Sequence, residues 1–325
     1  FVMPIIGIVA VLALVAGACS RGSGQGVGSG ITGRVTISGS STVEPISVRV
    51  AELFEDVESG VAVTVDGPGT GDGFKLFCAG ETDISDASRP IKDKEIAECA
   101  EAGIEFVELR VAIDGIAVMT NENNPVSCVS FADIYALVGP ESTGFKRWTE
   151  AQALASELGS SSTLPDGSLD IYGPGEESGT FDSFVEIVLE HTADERGQDA
   201  TTRPDYNANA DDNVIIQGLQ SSDSSLGWVG YAFTANVQGV KLLEVDGGDG
   251  CKAASPGAIA TGEYPVARSL YIYVNKAKAE ASPAVTSFVD FYLSDGGLGT
   301  AVSDVKYVNL TEEDRMASRA EWSAR

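Results

Sequence analysis

Four loops of this chain place Ser, Thr and Gly residues at the predicted start of a helix. Their sequences are SGSST (38–42), DGPGTGDGF (66–74), SDASRP (85–90) and GPGEESGTFDSF (173–184). The first N–H groups of a helix lack partners within the helix and carry a partial positive charge. Hydroxyl groups add donors, and glycine lets the backbone approach a ligand closely. Together the loops predict a site for a small anion, although each loop alone also fits an ordinary helix cap.

The other residues that could do chemistry argue against an enzyme. His191 is the only histidine, so a Ser-His-Asp triad would depend on it. Ser178, in EESGT, lacks the first glycine of the G-x-S-x-G motif. No two cysteines have the C-x-x-C spacing of a zinc site. We therefore expect no catalytic residue, no metal and no cofactor, while hydrolysis by paired carboxylates stays open in so acidic a chain.

The charge balance narrows the class of partner. The chain has 21 basic and 48 acidic residues, a net charge of −27. A nucleic-acid partner would require a basic face, so this balance argues against one. It does not exclude a small anion, because local dipoles can outweigh distant charges at a binding site.

The order of predicted elements indicates an α/β fold. Strand patterns at 34–38, 61–65, 82–86 and 104–108 alternate with helical patterns, which is typical of a parallel sheet. The helical patterns cover 45–57, 73–79 and 92–102. A longer apolar run at 111–120 is suited to cross between two domains, and the chain is long enough for two.

The N-terminal residues predict export. Residues 1–18 are apolar and uncharged, and small residues lead into Cys19. The segment AGAC resembles a bacterial lipobox, so we expect Cys19 to be lipidated after cleavage and residues 20–33 to form a flexible tether. An ordinary signal peptide or a membrane anchor remains the alternative. Removing Cys19 leaves four cysteines, which an oxidising compartment would pair in one of three ways.

In combination, the motifs resemble the phosphate-binding lipoproteins of bacterial ABC phosphate importers. The similarity rests on SGSSTVEPI, GTGDGFKLFCAGETDISDASRPI, YGPGEESGTFDSF, DDNVIIQG and YPVARSLYIYVN. It implies a two-lobed periplasmic-binding-protein-like fold of type II, with a mixed sheet in each lobe and phosphate in the cleft. The implied phosphate-binding residues are Ser41, Thr42, Thr70, Gly71, Ser88, Arg89, Ser178, Gly179, Thr180 and Arg203.

The resemblance also implies a domain layout and partners. The first lobe is expected to be discontinuous (34–116 and 264–325), with the second at 117–263, after a signal segment at 1–19 and a linker at 20–33. With these lobes, the pairs Cys78–Cys99 and Cys128–Cys251 are favoured because each lies within one lobe. The expected protein is a monomer, anchored by lipid outside the cytoplasm, that delivers phosphate to the permease subunits of an ABC transporter.

The sequence departs from the family pattern at Ser88, where an acidic residue is expected. Some members have Asp where Ser88 stands, so the carboxylate that would accept the proton of phosphate is unassigned. Asp72, Glu177 and Asp211 are candidates. Three other functions stay open: a binding protein for sulfate, molybdate or arsenate, a secreted phosphatase-type enzyme, and a structural or adhesive surface lipoprotein.

Overall fold

In a computed structural model, the structure of the protein describes residues 30–176 and 178–325. The predicted signal segment, the lipidation residue Cys19, most of the linker and the candidate Glu177 lie outside these residues. No helix of the described ranges is long and apolar enough to cross a membrane.

Strands and helices alternate through the first third, as predicted. The strands are β1 (Gly33–Gly39), β2 (Val61–Asp66), β3 (Ile84–Ala87), β4 (Phe106–Asn121), β5 (Cys128–Ser130), β6 (Asp170–Gly173), β7 (Asn207–Ala208), β8 (Ser225–Gly230), β9 (Val240–Leu242), β10 (Glu244–Asp246), β11 (Cys251–Lys252) and β12 (Ala267–Asn275). The α-helices are α1 (Glu44–Glu55), α2 (Thr70–Cys78), α3 (Asp93–Glu101), α4 (Phe131–Val138), α5 (Gln152–Glu157), α6 (Gly179–Phe184), α7 (Glu190–Arg196), α8 (Asp212–Gln220), α9 (Pro256–Thr261), α10 (Lys276–Ala281), α11 (Pro283–Tyr292), α12 (Thr300–Asp304) and α13 (Glu312–Ser323). A π-helical turn, Val185–Leu189, joins α6 to α7.

The sheet is mixed rather than purely parallel. In the described chain its strand order is β2-β1-β3-β12-β4-β8-β6-β7, with β9 also paired to β4. Strand β1 runs parallel to β2 and β3, as the alternating pattern predicted. The late strand β12 returns to pair antiparallel with β3 and β4. This return could be expected only from the family resemblance, because sequence spacing does not show which distant strands pair.

Strand β4 links the two lobes of the fold. Its first part, from Phe106 to Gly115, pairs with β12. From Ile116 to Met119 it pairs instead with β8. The predicted strand at 104–108 and the apolar run at 111–120 are therefore parts of one strand. We call the half containing β1, β2, β3 and β12 the first lobe, and the half containing β6 and β8 the second lobe.

Each lobe has its own apolar core. In the first, α1 and α11 cover the sheet, with Val50 and Phe288 fully buried. In the second, α4 and the helix from α6 to α7 pack on β8, and the rings of Phe184 and Trp228 stack with centroids 4.3 Å apart. Separate cores let the lobes act as two bodies with a cleft between them.

The favoured pairing of the cysteines is confirmed. Cys78 on α2 is bonded to Cys99 on α3, with Cα atoms 4.3 Å apart. Cys128 on β5 is bonded to Cys251 on β11, with Cα atoms 6.1 Å apart. The first disulfide fixes the helix that carries Thr70, and the second ties the small sheet of β5, β10 and β11 together.

Candidate functional site

The first loop turns directly from β1 into α1. Ser40 donates its backbone N–H to the carbonyl of Asp86 at 2.9 Å, which holds the loop against the end of β3. The Ser40 hydroxyl accepts the N–H of Thr42 at 3.2 Å, and the Ser40 carbonyl accepts that of Glu44 at 2.9 Å. The loop is thus held by its own residues, and Ser41 and Thr42 lie where the second lobe approaches.

The first and fourth loops contact each other across the cleft. Ser41 donates its hydroxyl to Oδ2 of Asp182 at 2.7 Å. Thr42 donates to the carbonyl of Gly179 at 3.3 Å. A Cβ atom on Gly179 would lie 3.1 Å from the Cα of Thr42, so glycine permits this close approach. Ser178 caps α6, since its hydroxyl accepts the N–H of Thr180 at 3.2 Å.

The second and third loops also meet. The hydroxyls of Thr70 and Ser88 are 3.0 Å apart, and Ser88 donates its N–H to Thr70 Oγ1 at 3.2 Å. Helix α2 begins at Thr70, three residues before the predicted start, so Gly71 lies in its first turn. Gly69 donates its N–H to the carbonyl of Gly39 at 2.8 Å, which joins the second loop to the first.

A cleft of about 460 Å³ runs beside these loops. Thr70, Gly71 and Ser88 line it from the first lobe, and Glu186 lines it from the second. Arg268 of β12 also faces it. The structure therefore brings the second and third loops to one opening between the lobes, and Arg268 connects this opening to Thr42 of the first loop.

Arg268 is a candidate site residue that sequence reasoning missed. Its Nη2 donates to Thr42 Oγ1 at 3.0 Å and to Ser183 Oγ at 2.6 Å, while Nη1 bonds Glu186. Its Nε has no hydrogen-bond partner among the described residues. The motif YPVARSLYIYVN contained the signal, a single arginine in a largely apolar strand. Only the pairing of β12 with β4 shows that this arginine reaches the cleft.

Asp114 is the second missed residue. It stands opposite Arg268 in the register of β4 and β12, and only 1% of it is exposed. Ser183 donates to its Oδ2 at 2.5 Å, whereas Oδ1 lacks a hydrogen-bond partner in the described ranges. Burial raises the pKa of Asp114, and the charge of Arg268 and the bond from Ser183 partly offset this. We call Thr42, Gly179, Ser183, Arg268 and Asp114 the cleft cluster.

The carboxylates considered from the sequence lie elsewhere. Asp72 is exposed and pairs with Lys75 at 2.7 Å. Asp211 is exposed and caps α8 by accepting the N–H of Asn213 at 2.9 Å. Both carboxylates bond to neighbouring residues of their own helix and lie outside the cleft cluster, in which Asp114 is the buried carboxylate.

The two arginines named from the sequence, Arg89 and Arg203, each pair with a carboxylate of their own lobe, whereas Arg268 contacts residues of both lobes. Arg89 lines the cleft, but it donates to both oxygens of Glu95 at 2.7 and 2.9 Å. Arg203 is only 1% exposed and bonds both oxygens of Asp205 at 2.6 and 2.8 Å, as well as the Phe145 carbonyl. This ion pair lowers the pKa of Asp205. The guanidinium of Arg203 thus stabilises the second lobe, and the structure does not bring it to the loops.

Asp86 lies fully buried beneath the first loop. Its Oδ1 accepts the hydroxyl of Ser47 at 3.0 Å, and its Oδ2 has no hydrogen-bond partner among the residues described. Burial raises the pKa of Asp86 to about 7; the bond from Ser47 opposes this rise and the charge of Glu44 adds to it. Ser47 also lies 3.1 Å from the hydroxyl of Tyr292.

Comparison with known families fits this architecture. A family described as the PBP superfamily domain matches residues 20–296. The chain belongs to the PBP superfamily. Its relatives in this superfamily include the protein SphX of Synechocystis sp., 36% identical over 284 residues, which are 86% of this chain and 79% of that protein. The phosphate-binding protein PstS of Staphylococcus saprophyticus is 32% identical over 308 residues, 93% of this chain and 88% of the relative.

Solved structures of the superfamily confirm the two-lobed fold. The crystal structure of a possible phosphate binding protein from Planctomyces limnophilus superposes with a TM-score of 0.81 at 36% identity. The match covers 90% of this chain and 99% of that one. The resemblance drawn from the loop motifs is thereby confirmed, since PstS is named a phosphate-binding protein and the Planctomyces structure is described as a possible one.

Proposed function

We propose that this protein binds inorganic phosphate in the cleft between its lobes and delivers it to the permease of an ABC importer. The observation that carries the proposal is the position of Arg268, whose Nη2 contacts Thr42 of the first lobe and Ser183 of the second. An anion held by this guanidinium would contact both lobes. PstS is named a phosphate-binding protein, and a similar structure from Clostridium perfringens, of a putative phosphate ABC transporter substrate-binding protein, contains bound phosphate.

The proposed site combines a cation with hydroxyl and N–H donors. Arginine forms strong, charge-assisted bonds to phosphate, and the first turns of α1 and α2 supply partial positive charge. Arg89 contributes its charge at the rim, while Arg203 is left out because its bonds lie within the second lobe. The proposed ligands are Ser41, Thr42, Thr70, Gly71, Ser88, Ser178, Gly179, Thr180 and Arg268.

Asp114 supplies the selectivity that the sequence left unassigned. Phosphate keeps a proton at neutral pH and sulfate does not. A carboxylate oxygen that has no donor, such as Asp114 Oδ1, accepts a hydrogen bond from protonated phosphate and repels a fully ionised anion. Arsenate carries protons as phosphate does, so this residue discriminates against sulfate rather than against arsenate.

The mechanism is binding and release without a chemical step. We propose that residues 34–116 with 264–325, and residues 117–263, move as the two lobes, with β4 and β12 at the junction. Phosphate favours the closed arrangement only to the extent that it binds that arrangement more tightly. We further propose export and lipidation at Cys19, so that a monomer works outside the cytoplasm beside its permease.

Titration with phosphate, followed by small-angle scattering, tests both binding and closure. The expected result is saturable binding at one site per chain with a decrease in radius of gyration. Hydrolysis of a phosphate ester by the same sample would instead favour an enzyme, and tighter binding of sulfate or molybdate would favour another oxyanion.

A further inference from the structure

The second lobe presents acidic side chains to the cleft, Glu186 and Glu190. Along the chain, Gly179, Ser183, Glu186 and Glu190 follow one another at intervals of four, three and four residues. Residues at such intervals lie on one face of a helix, so α6, the π-helical turn and α7 turn this face toward the first lobe. Carboxylates repel an anion, and their place in the proposed phosphate site therefore requires an explanation.

Glu186 is bonded to the arginine of the proposed site. Its Oε2 accepts a hydrogen bond from Nη1 of Arg268, which belongs to the other lobe. The charge of Glu186 also reaches Arg89: the bond to Glu95 is the main cause of the raised pKa of Arg89, and the charge of Glu186 adds to the rise. Glu186 thus lies near both arginines that line the cleft.

The carboxylate of Glu186 and a bound phosphate would compete for the same guanidinium. Arginine binds carboxylate and phosphate groups through the same planar set of N–H donors. On Arg268, Nη2 already contacts Thr42 and Ser183, and Nη1 bonds Glu186. An N–H group that bonds Glu186 is not available to phosphate, so the two acceptors exclude each other at this donor.

Solvent exposure decides which acidic partner of Arg268 can leave. The side chain of Glu186 is 44% exposed, so water can solvate its charge when the ion pair opens. Asp114, opposite Arg268 in the sheet, is only 1% exposed, and a buried charge without its partner is costly. Glu186 is therefore the carboxylate that an incoming anion can displace.

We infer that Glu186 is a positioning residue that occupies Arg268 until phosphate displaces it, and that it thereby sets how strongly an anion must bind to enter the site. This inference rests on the proposed function and deepens it. No chemical step is involved, since one charge-assisted hydrogen bond replaces another. Every anion that uses Arg268 meets the same competitor, so Glu186 weakens the binding of each by the same factor and leaves their ratio unchanged.

The test is calorimetry with phosphate and with sulfate on the phosphate-free wild type, Glu186→Gln and Glu190→Gln. Glutamine keeps the shape of the side chain and removes its charge. Glu186→Gln should bind phosphate about three- to tenfold more tightly, with the ratio of phosphate to sulfate affinity unchanged. Glu190 is the matched control, because it lines the same cleft without pairing with Arg268. Its replacement should change the affinity by less than about twofold.

A second pair of variants separates the ion pair from general repulsion in the cleft. In an Arg268→Ala background, adding Glu186→Gln should bring no gain in affinity, because no guanidinium is released. Circular dichroism checks that each variant is folded.

Three results would overturn the inference: unchanged or weaker phosphate binding in Glu186→Gln, an equal gain in Glu190→Gln, and a gain that persists without Arg268. The first would mean that Glu186 orients the guanidinium for the anion, and the other two that charge in the cleft acts without the ion pair. A folded wild type that binds no phosphate would instead overturn the proposed function on which the inference rests.

Discussion

Arg268 and Ser183 face each other across the cleft, with guanidinium Nη2 2.6 Å from the serine Oγ. Ser183 donates in turn to Asp114, which stands beside Arg268 in the sheet. One cation of the first lobe is thus tied to a hydroxyl of the second lobe and to a buried carboxylate. In the proposed mechanism, closure of the lobes and recognition of an anion both involve these three side chains.

Replacing Arg268 should weaken phosphate binding strongly. Loss of one partner of a buried, charge-assisted contact costs about 2–5 kcal/mol, so Arg268→Ala should raise the dissociation constant at least roughly thirtyfold. Arg268→Lys keeps the charge but loses the planar guanidinium group, so its dissociation constant should lie between those of the wild type and Arg268→Ala.

Calorimetry measures these dissociation constants, with Arg89→Ala as the control. Arg89 lines the same cleft but bonds Glu95, so its loss should cost less than about tenfold. Wild-type affinity in Arg268→Ala would contradict the proposed site.

Replacing Asp114 should change selectivity more than stability. Asparagine has the same shape, but its amide would donate toward a ligand where the carboxylate accepted. Phosphate affinity should fall by about 1–3 kcal/mol in Asp114→Asn, while sulfate affinity rises. Competition calorimetry measures the ratio, and Asp72→Asn, on the exposed side of α2, should leave it unchanged. An unchanged ratio in Asp114→Asn would assign selectivity to another group.

Asp86 should make unfolding pH-dependent. Its pKa is raised to about 7 in the folded protein from the ordinary aspartate value of 3.8, so the folded state binds a proton that the unfolded state has lost. Stability therefore falls as pH rises between these values, by at most about 1.4 kcal/mol per unit, and levels off above the folded pKa. Urea unfolding without phosphate should show this slope in the wild type relative to Asp86→Asn. Parallel curves for the two proteins would contradict the assignment.

The two disulfides should stabilise the fold unequally. The bond Cys78–Cys99 closes a separation of 21 residues and Cys128–Cys251 one of 123 residues. Loop-closure entropy predicts about 3 and about 5 kcal/mol, respectively. Chemical unfolding of the two double-serine variants measures the difference. A larger loss in the Cys78/Cys99 variant would indicate that local packing of α2 and α3 outweighs chain entropy.

The sequence predicted the loops of the candidate site better than it predicted the charged side chains of that site. The four loops could be located because hydroxyl and glycine residues at helix starts form local patterns, whereas individual residues such as Ser41, Thr70 and Gly179 were implied by the family resemblance.

Arg268 and Asp114 were missed because each stands alone in a strand, and only the antiparallel pairing of β12 with β4 brings them together. Arg203 was proposed from its motif, but Asp205, two residues later, holds its guanidinium in the second lobe. Local sequence thus indicates where an anion site begins, whereas distant strand pairing decides which cation completes it.

The most direct test of the central claim is isothermal calorimetry of the purified, phosphate-free protein with phosphate, and then with sulfate. The account predicts one phosphate per chain and sulfate binding that is roughly tenfold to a hundredfold weaker, since sulfate leaves Asp114 without a donor. Equal binding of both anions would contradict the role of Asp114. The absence of binding heat with either anion at several temperatures, from a folded sample, would contradict the proposed phosphate site itself.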